Sequence, residues 1–306
     1  MIDPSNGFQD LPEKYLQLID KAQAQLNLII TPLQKLVSGF SGAYVFLVSV
    51  ASGTNEPLEH CILKLDRKSK HAKADEVTRH TTVLETASPE FAHARVPELA
   101  YGRIEHEGLI AIFYRIAGQS LLQYRPLSSF QDQNHLAAIF STTHQVLLQE
   151  WNGSLGFEQG IPPQEALKKW LGFRLAAGGK IENFLREECH LNPEIPGLLV
   201  NGKVFPNPLW YGRSPQPWAG VRPLDMATGF LHRDLNTNNI LVKFKEGTDD
   251  LEGYYLIDFA MFKEQMPLFY DQRYLELSYL MQVMSRVSFT NIVDRSEEHT
   301  SELQSL

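Results

Sequence analysis

The stretch that decides the fold is LHRDLNTNNILV, residues 231–242, which is followed a short way on by LIDF, residues 256–259. An acid stands at Asp234, an amide five positions later at Asn239, and a second acid at Asp258. The residues between the first acid and the amide are polar and rich in asparagine, which tolerates the backbone angles of tight turns. Carboxylate and amide oxygens are ligands that magnesium accepts. The pattern therefore predicts a loop that presents two acids and an amide to one cleft.

Apolar runs flank this loop and predict two buried strands. Residues 240–242 read Ile-Leu-Val and residues 254–257 read Tyr-Tyr-Leu-Ile, and short apolar runs bounded by turn residues are typical of strands. The second strand would deliver Asp258 at its end. The alternative is an ordinary loop between two strands, in which His232 and Asp234 only satisfy backbone groups. The occurrence of the whole set together favours a functional site.

Phosphoryl transfer needs these chemical groups. A carboxylate takes the proton of the acceptor hydroxyl, and oxygen ligands hold the magnesium ions that neutralise the phosphates. His232, Arg233 and Asp234 resemble the catalytic loop of the protein kinases, and Asp258 resembles their metal-binding aspartate. This resemblance implies a catalytic site in which Asp234 is the base and Asn239 and Asp258 are metal ligands.

Length and composition are those of a globular protein. The 306 residues, 43% hydrophobic and 21% charged, suffice for one large domain or two lobes. The N-terminal residues MIDP lack the regions of a signal peptide, and no apolar run is long enough to cross a bilayer, so we expect a cytoplasmic protein. The two cysteines, Cys61 and Cys189, are expected as buried thiols. A formal charge of −8 argues against general nucleic-acid binding and permits a cationic substrate.

The C-terminal residues 295–305, RSEEHTSELQS, look like an in-frame translation of a common short-read sequencing adapter. The alternative is a genuine polar helix, but the length of the match favours an artefact, and we expect the segment to take no part in the fold. It carries one Arg and three Glu, a net −2, so without it the formal charge changes from −8 to −6. On this interpretation the natural protein continues beyond Asp294.

Two features stand near the N-terminus. Residues 11–30 carry apolar side chains at helical spacing and predict an amphipathic helix. The turn that follows contains Ser38, Gly39, Ser41 and Gly42 between runs typical of strands. Small residues there would let backbone amides approach nucleotide phosphates closely. A plain hairpin turn is the alternative, because the full G-x-G-x-x-G pattern is missing.

One lysine stands inside an apolar strand. Residues 61–65 read CILKL, and a buried lysine is costly unless its charge is paired. The resemblance to the kinases implies an acid on the following helix as its partner; Glu76, in a helix predicted over residues 70–86, is the expected acid, and Glu85 is the second choice. In the kinase pattern this lysine, Lys64, contacts the nucleotide phosphates. An edge-strand lysine that reaches solvent is the alternative.

Two more runs, residues 96–101 and 109–114, complete a pattern of five strands. The second run is continuously apolar, as expected of a central strand. Residues 115–121 then predict a hinge whose backbone would meet the adenine ring, with Tyr114 and Ile116 at the base pocket. A simple connection between a strand and a helix is the alternative.

The remainder is predicted to be mostly helical. Residues 130–151 and 163–189 show helical periodicity. Four aromatic residues are expected to anchor the core: Trp151, Trp170, Phe173 and Phe184. Residues 192–220 are rich in proline and glycine, which predicts an ordered but irregular insertion beside an acceptor pocket.

Over residues 36–294 the chain resembles the protein-kinase-like superfamily, and it is most similar to the aminoglycoside phosphotransferase and choline kinase group. The resemblance implies an α+β fold of two lobes: an N-lobe with an antiparallel sheet and a helix, and a mostly helical C-lobe. It places the N-lobe at residues 36–116 and the C-lobe at 117–294, after an N-terminal helical extension at 1–35. A fainter similarity is to kinase-like ternary-complex-associated domains of bacterial conflict and signalling systems.

Two departures separate the chain from either group. Arg233 is typical of protein kinases, where the small-molecule group usually has glycine, whereas Ala260 replaces the usual protein-kinase glycine. A helix predicted at residues 272–284 follows Asp258 closely, which leaves no room for the long activation segment of a protein kinase. A small-molecule acceptor is therefore favoured.

The resemblance implies ATP and Mg²⁺ as cofactors and transfer of the γ-phosphoryl group to a hydroxyl of a small molecule. Acids around Asp271, near residues 192–220, would favour an amine-bearing acceptor similar to an aminoglycoside or choline. No nucleic-acid or membrane partner is expected. The alternative is a kinase-like module that binds nucleotide, or a partner protein, in a bacterial signalling assembly. A buried lysine together with converging acids favours the enzyme.

Overall fold

The fold is mixed α+β, and the strand pairings among the described residues are all antiparallel. The computed structural model describes residues 7–36, 43–52, 59–68, 76–115, 123–130, 133–245, 248 and 251–284. The chain divides into two compact units. The first unit contains Met1–Trp151, His232–Phe262 and Gln272–Leu306, and the second contains Asn152–Leu231 and Lys263–Asp271.

Several sequence predictions concern residues outside the described ranges. They are the small-residue turn with Ser38, Gly39, Ser41 and Gly42, the start of the predicted helix at residues 70–75, Ile116 with the hinge around it, and the C-terminal residues 295–306. These stay predictions.

A six-stranded sheet forms the N-terminal part of the first unit. Its strands are β1 (Ile29–Leu36), β2 (Tyr44–Ala51), β3 (Glu59–Arg67), β4 (Glu98–Leu99), β5 (Ile104–His106) and β6 (Leu109–Arg115). The strands lie in the order β1-β2-β3-β6-β4, and β5 also pairs with β6. The sequence predicts five strands and omits β5, which is short and joins β6 through a turn with positive φ at Glu107 and Gly108. The prediction that 109–114 form a buried central strand is confirmed.

The leading amphipathic helix is α1 (Glu13–Leu26). Its buried face packs into the same core cluster as residues of the sheet such as Phe46 and Leu63. The helix ends at Asn27, whose φ of 54° is left-handed, a conformation that asparagine tolerates. The helix prediction is therefore confirmed for α1 but wrong for Ile29 and Ile30, which begin β1.

Further helices follow in the first unit. They are α2 (Glu76–Thr86), α3 (Pro89–Arg95) and α4 (Gln133–Val146). The hydroxyl of Ser88 caps α3 by accepting a hydrogen bond of 3.1 Å from the Phe91 amide. A π-helical turn extends α4 to Trp151, whose buried ring stacks on Phe91 and on Phe262. None of the described helices has both the length and the apolar content needed to cross a membrane.

The two strands predicted around the polar loop are confirmed. They are β12 (Ile240–Phe244) and β13 (Leu251–Leu256), which pair with Ile240 opposite Leu256, and β7 (Arg125–Pro126) pairs with the other side of β12. The pairing brings the end of the loop at Asn239 next to the residues that follow β13. The helix predicted at 272–284 is also confirmed, as α8 (Tyr270–Met284).

The second unit contains a three-stranded sheet, a hairpin and short helices. The sheet is formed by β8 (Gly156–Ile161), β11 (Leu224–Leu231) and β14 (Lys263–Pro267), the hairpin by β9 (Gly197–Val200) and β10 (Lys203–Pro206), and the helices are α5 (Pro163–Leu171), α6 (Lys180–Asn183) and α7 (Pro208–Arg213). The helical pattern predicted for 163–189 is interrupted at Gly172 and Gly178, which both have positive φ. The prediction that residues 192–220 are irregular is wrong, because they contain the hairpin and α7.

Two of the expected core aromatics are exposed. Trp151 is buried, as predicted, but Trp170 is 38% exposed and Phe184 is 57% exposed. Helical periodicity shows which face of a helix is apolar. The breaks between the short helices change their directions, and with them the side of each helix that packs against the rest of the protein. The side chain of Phe173 lies outside the described set.

The two cysteines differ. Cys61 is buried in β3, where burial raises the pKa of its thiol to about 12, and Cys189 is exposed. The prediction of two buried thiols is therefore confirmed for Cys61 and wrong for Cys189, which follows the last helical turn before residue 190.

Candidate functional site

A buried lysine lies between two carboxylates in the first unit. Lys64 is on β3, and its side chain is 5% exposed. Its Nζ lies 2.8 Å from Oε2 of Glu76 and 2.8 Å from Oδ1 of Asp258. The structure thus places the predicted acid, Glu76, on the lysine instead of Glu85. The edge-strand alternative is wrong, because β3 has a paired strand on each side.

The charges of this cluster depend on one another. Burial by itself lowers the pKa of Lys64, but the carboxylates of Asp258 and Glu76 outweigh burial and raise it. Burial raises the pKa of Asp258, but the ammonium of Lys64 outweighs burial and lowers it. For Glu76 the effect of burial is larger than that of Lys64, and its pKa is raised. Lys64 and Asp258 are therefore a charged pair at neutral pH.

Tyr114 fixes the second oxygen of Glu76. The tyrosine is buried on β6, and its hydroxyl donates a hydrogen bond to Oε1 of Glu76. Burial and the Glu76 carboxylate raise the pKa of Tyr114 well above its usual value, so the hydroxyl keeps its proton. Glu76 is thus held by Lys64 on one oxygen and by Tyr114 on the other. This contact of the hydroxyl is not foreseen by the prediction of a base pocket.

A cavity adjoins Lys64. The residues that line it include the apolar Val45, Ile62, Tyr114 and Leu241 and the polar Lys64, Asn239 and Asp258. Apolar walls suit a base, an ammonium suits phosphates, and amide and carboxylate oxygens suit magnesium. The groups present therefore fit a magnesium nucleotide. The cavity volume is about 50 Å³, so its walls must separate to admit one.

The polar loop is closed by its own asparagines. The Asn236 side chain accepts a hydrogen bond of 2.9 Å from the Asn238 amide and donates one of 3.1 Å to the Asp234 carbonyl. Asn239 Nδ2 also donates to the Asp234 carbonyl, at 2.7 Å. Because its nitrogen is held there, Asn239 can offer Oδ1 as a ligand. The described residues contain no group of three or more histidines, cysteines, aspartates or glutamates that could hold a metal ion.

His232 and Arg233 are buried, not exposed to the cavity. Nε2 of His232 lies 2.9 Å from the Ile257 carbonyl, and its ring is 4.7 Å from that of Phe259. Arg233 and Asp258 both have a φ of 66°, a left-handed conformation that is strained for these residues. His232 and Arg233, which were predicted with the catalytic residues, therefore act by positioning the loop. His232 joins the loop to the segment after β13.

Two residues of this site were not foreseen from the sequence. The hydroxyl of Tyr274, on α8, donates a hydrogen bond of 3.1 Å to Oδ1 of Asp234. Arg79, on α2, donates to the carbonyl of Ala260. Neither has a local signal, since each partner lies far away in the chain.

The prediction of an acidic surface around Asp271 is wrong for Asp271 itself. Asp271 is only 1% exposed, so its carboxylate is buried and does not face solvent. Asp271 therefore contributes no charge to a surface that an amine-bearing acceptor could contact.

His80 lies behind the site and makes the folded state sensitive to acid. It is fully buried on α2, its Nε2 is 2.7 Å from the Pro97 carbonyl, and its ring packs near Tyr114 and Phe259. Burial lowers its pKa from 6.5 to about 4. Between these values the unfolded chain binds the proton more readily than the folded chain, so stability falls as the pH decreases.

We expect the free energy of unfolding to fall by about 3 kcal/mol between pH 7 and pH 4 through His80 alone. Urea unfolding at a series of pH values measures this slope. His80→Leu should flatten the slope, and the exposed His93→Gln should leave it unchanged. An unaltered slope in His80→Leu would contradict the assignment.

Comparison of the sequence with models of protein families gives no match, and no characterised protein matches it at a significant level. The function is accordingly inferred from the chemistry of the residues around Lys64 and Asp234.

Proposed function

We propose that this chain is an ATP-dependent phosphotransferase with a protein-kinase-like fold, and that it moves the γ-phosphoryl group of ATP to a hydroxyl of a small molecule. The observation that carries the proposal is the position of Lys64, whose Nζ lies 2.8 Å from both Glu76 and Asp258. A purely structural role gives no reason to bury a lysine between two acids beside a cavity. Perturbed charges that line a cavity are typical of functional sites.

Each group around the cavity has a role in this proposal. Lys64 binds the phosphate oxygens, and Glu76, itself held by Tyr114, keeps the ammonium in place. Asn239 and Asp258 would hold magnesium, which supplies positive charge to the transferring phosphoryl group. The left-handed backbone at Asp258 turns its carboxylate back toward Lys64.

Asp234 is the proposed base. It takes the proton of the acceptor hydroxyl as that oxygen bonds to the γ-phosphorus. The hydrogen bonds of Asn236 and Asn239 to its carbonyl hold the backbone, and Tyr274 restricts rotation of its carboxylate. A base held in this way loses little entropy when the acceptor arrives.

The short connection after Asp258 supports a small-molecule acceptor over a protein. Between Asp258 and α8 the chain contains only a 3₁₀ turn, Phe259–Met261, and the strand β14. A protein kinase uses a long activation segment at this point to hold its peptide. The helix begins at Tyr270, earlier than the sequence predicts, and this shortens the connection further.

A second candidate is a kinase-like module that binds nucleotide or a partner protein in a bacterial signalling assembly, without transfer. The cavity of about 50 Å³ favours the form that binds a partner protein, since a nucleotide needs more space. The direct ion pair between Lys64 and Asp258 also favours that form, because nucleotide and metal must compete with the pair.

Binding of ATP tests the proposal. Calorimetry with millimolar ATP is expected to show binding that requires magnesium, because Asp258 and Asn239 would contact the nucleotide through the metal. Asp258→Asn should remove the magnesium dependence, whereas Asp20→Asn, at an exposed position of α1, should not. Each variant is first checked for an unchanged circular dichroism spectrum, because Asp258 pairs with a buried lysine.

The absence of a magnesium-dependent heat of ATP binding in the wild-type chain would contradict the proposal. Binding of MgATP together with phosphorylation of an added hydroxyl compound would separate the transferase from the module that only binds.

A further inference from the structure

A second cavity, of about 1090 Å³, lies within the first unit. Its walls come from the end of β1, the segment around β7, the polar loop and α8. It shares Leu36, Pro126 and Asn238 with the small cavity beside Lys64, so the two cavities adjoin. Pockets for small ligands commonly have volumes of about 300–1,000 Å³, and this cavity is slightly larger.

The cavity is in contact with the proposed base through Tyr274. This tyrosine lines the cavity, and its hydroxyl donates to Oδ1 of Asp234 at 3.1 Å. Asn236 and Asn238, which close the loop on either side of Thr237, line the same space. A molecule in the cavity therefore lies next to the groups that position Asp234.

Part of the wall is held rigidly. Thr237 Oγ1 donates to Oε1 of Gln282 at 2.9 Å, and Nε2 of Gln282 donates to the Ser128 carbonyl at 2.7 Å. These bonds join the loop, α8 and the segment after β7, three parts of the chain that surround the cavity. The cavity is accordingly built into the fold and does not depend on one mobile side chain.

The described part of the wall contributes one cation to the cavity. Among the described lining residues only Lys35 and Arg125 are charged, and neither forms an ion pair with a described residue. Lys35 pairs with Phe46 on the face of the sheet that packs on α1, and its ammonium lies there, 5.5 Å from the centroid of the Tyr44 ring. Arg125 is therefore the cation that raises the local concentration of anions.

We propose that this cavity is the acceptor site and that it takes a hydroxyl compound carrying a carboxylate or phosphate group. The inference rests on the proposed function and replaces the amine-bearing acceptor predicted from the sequence. Arg125 holds the anionic group, and the hydroxyl faces Asp234. In the transfer the acceptor oxygen bonds to the γ-phosphorus of ATP, the bond to the ADP oxygen breaks, and Asp234 receives the hydroxyl proton.

Binding of matched compounds tests the class of acceptor without requiring turnover. Calorimetry on the chain saturated with MgADP compares glucose, glucosamine, glucuronate and glucose 6-phosphate, and a smaller set of glycerol, 2-amino-1,3-propanediol and glycerate. We expect the anionic members to bind at least about tenfold more tightly than the neutral and amino members, and more weakly as salt increases. The carboxylate and phosphate members distinguish the two kinds of anion.

Variants locate the site. Arg125→Gln should weaken binding of the anionic members about tenfold. Lys35→Gln, whose side chain lies on the other face of the sheet, and Lys14→Gln, on the exposed face of α1, should not. Arg125→Glu should reverse the preference toward the amino members. Circular dichroism checks that each variant is folded.

Several results would overturn the inference. They are tightest binding of an amino member, affinities that Arg125→Gln leaves unchanged, competition of the anions with MgADP, and no binding by any member of either set. Anions that bind at Arg125 but receive no phosphoryl group from ATP would support the anion site and contradict the proposed phosphotransferase. The two failures are thus distinguishable.

Discussion

Replacement of Asp234 by asparagine is expected to reduce phosphoryl transfer by about 10²–10⁴-fold and to leave the affinity for MgATP nearly unchanged. Asparagine has nearly the same shape, and its Oδ1 can still accept the hydrogen bond from Tyr274. It cannot take up the proton of the acceptor hydroxyl. The loss is therefore expected in kcat, which steady-state kinetics with an acceptor from the panel above, or MgATP hydrolysis with water as acceptor, would measure.

Two variants serve as comparisons for Asp234→Asn. Tyr274→Phe removes only the hydroxyl that holds the carboxylate, so kcat should fall by a smaller factor. Tyr279→Phe, on the same helix, should have no effect, because its ring packs near Phe140. Full activity of Asp234→Asn, with MgATP bound, would show that this carboxylate is not the base.

Replacement of Lys64 by methionine is expected to abolish MgATP binding and to lower the free energy of unfolding by about 3–5 kcal/mol. The stability loss arises because Glu76 and Asp258 remain buried after their common cation is gone. Methionine retains most of the side-chain volume, so a cavity contributes little. Urea unfolding at pH 7 measures the change in stability, and calorimetry measures the binding.

The matched variants separate charge from packing. Adding Glu76→Gln and Asp258→Asn to Lys64→Met should restore much of the stability without restoring MgATP binding, because both unpaired charges are then removed. Lys68→Met, which breaks an exposed pair with Glu105, should cost less than about 1 kcal/mol. An equal loss in Lys68→Met and Lys64→Met would contradict the cluster as a source of stability.

Local patterns predicted several parts of the candidate site. The apolar run around Lys64 and the helix that begins at Glu76 are short-range features, and a buried cation must have a partner nearby. Strand patterns on each side of the polar loop likewise predicted the pairing that brings Asn239 and Asp258 to one cavity. In these cases the chemistry of a single residue restricts its surroundings.

Features that lie where the hydrophobic periodicity is short or interrupted were not predicted correctly. The three-residue strand β5 is too short to show a period, and exposed Trp170 and Phe184 lie on helices interrupted by glycines. The sequence marked 163–189 as helical, but it did not show which faces would be covered. The exposure of an aromatic side chain depends on which neighbouring helices and strands cover it, and not on the periodicity of the sequence alone.

By itself, the sequence determined the mixed α+β class, the strands around the polar loop and the need of Lys64 for an acidic partner, with Glu76 and Glu85 both open. These follow from hydrophobic periodicity and from the cost of an unpaired buried charge, which act over short distances. Only the tertiary structure decided that Tyr114 holds Glu76, that Tyr274 holds Asp234, and that Arg125 lines the larger cavity. Such contacts join residues that are far apart in the chain, and no local pattern encodes which distant side chains the packed core brings together.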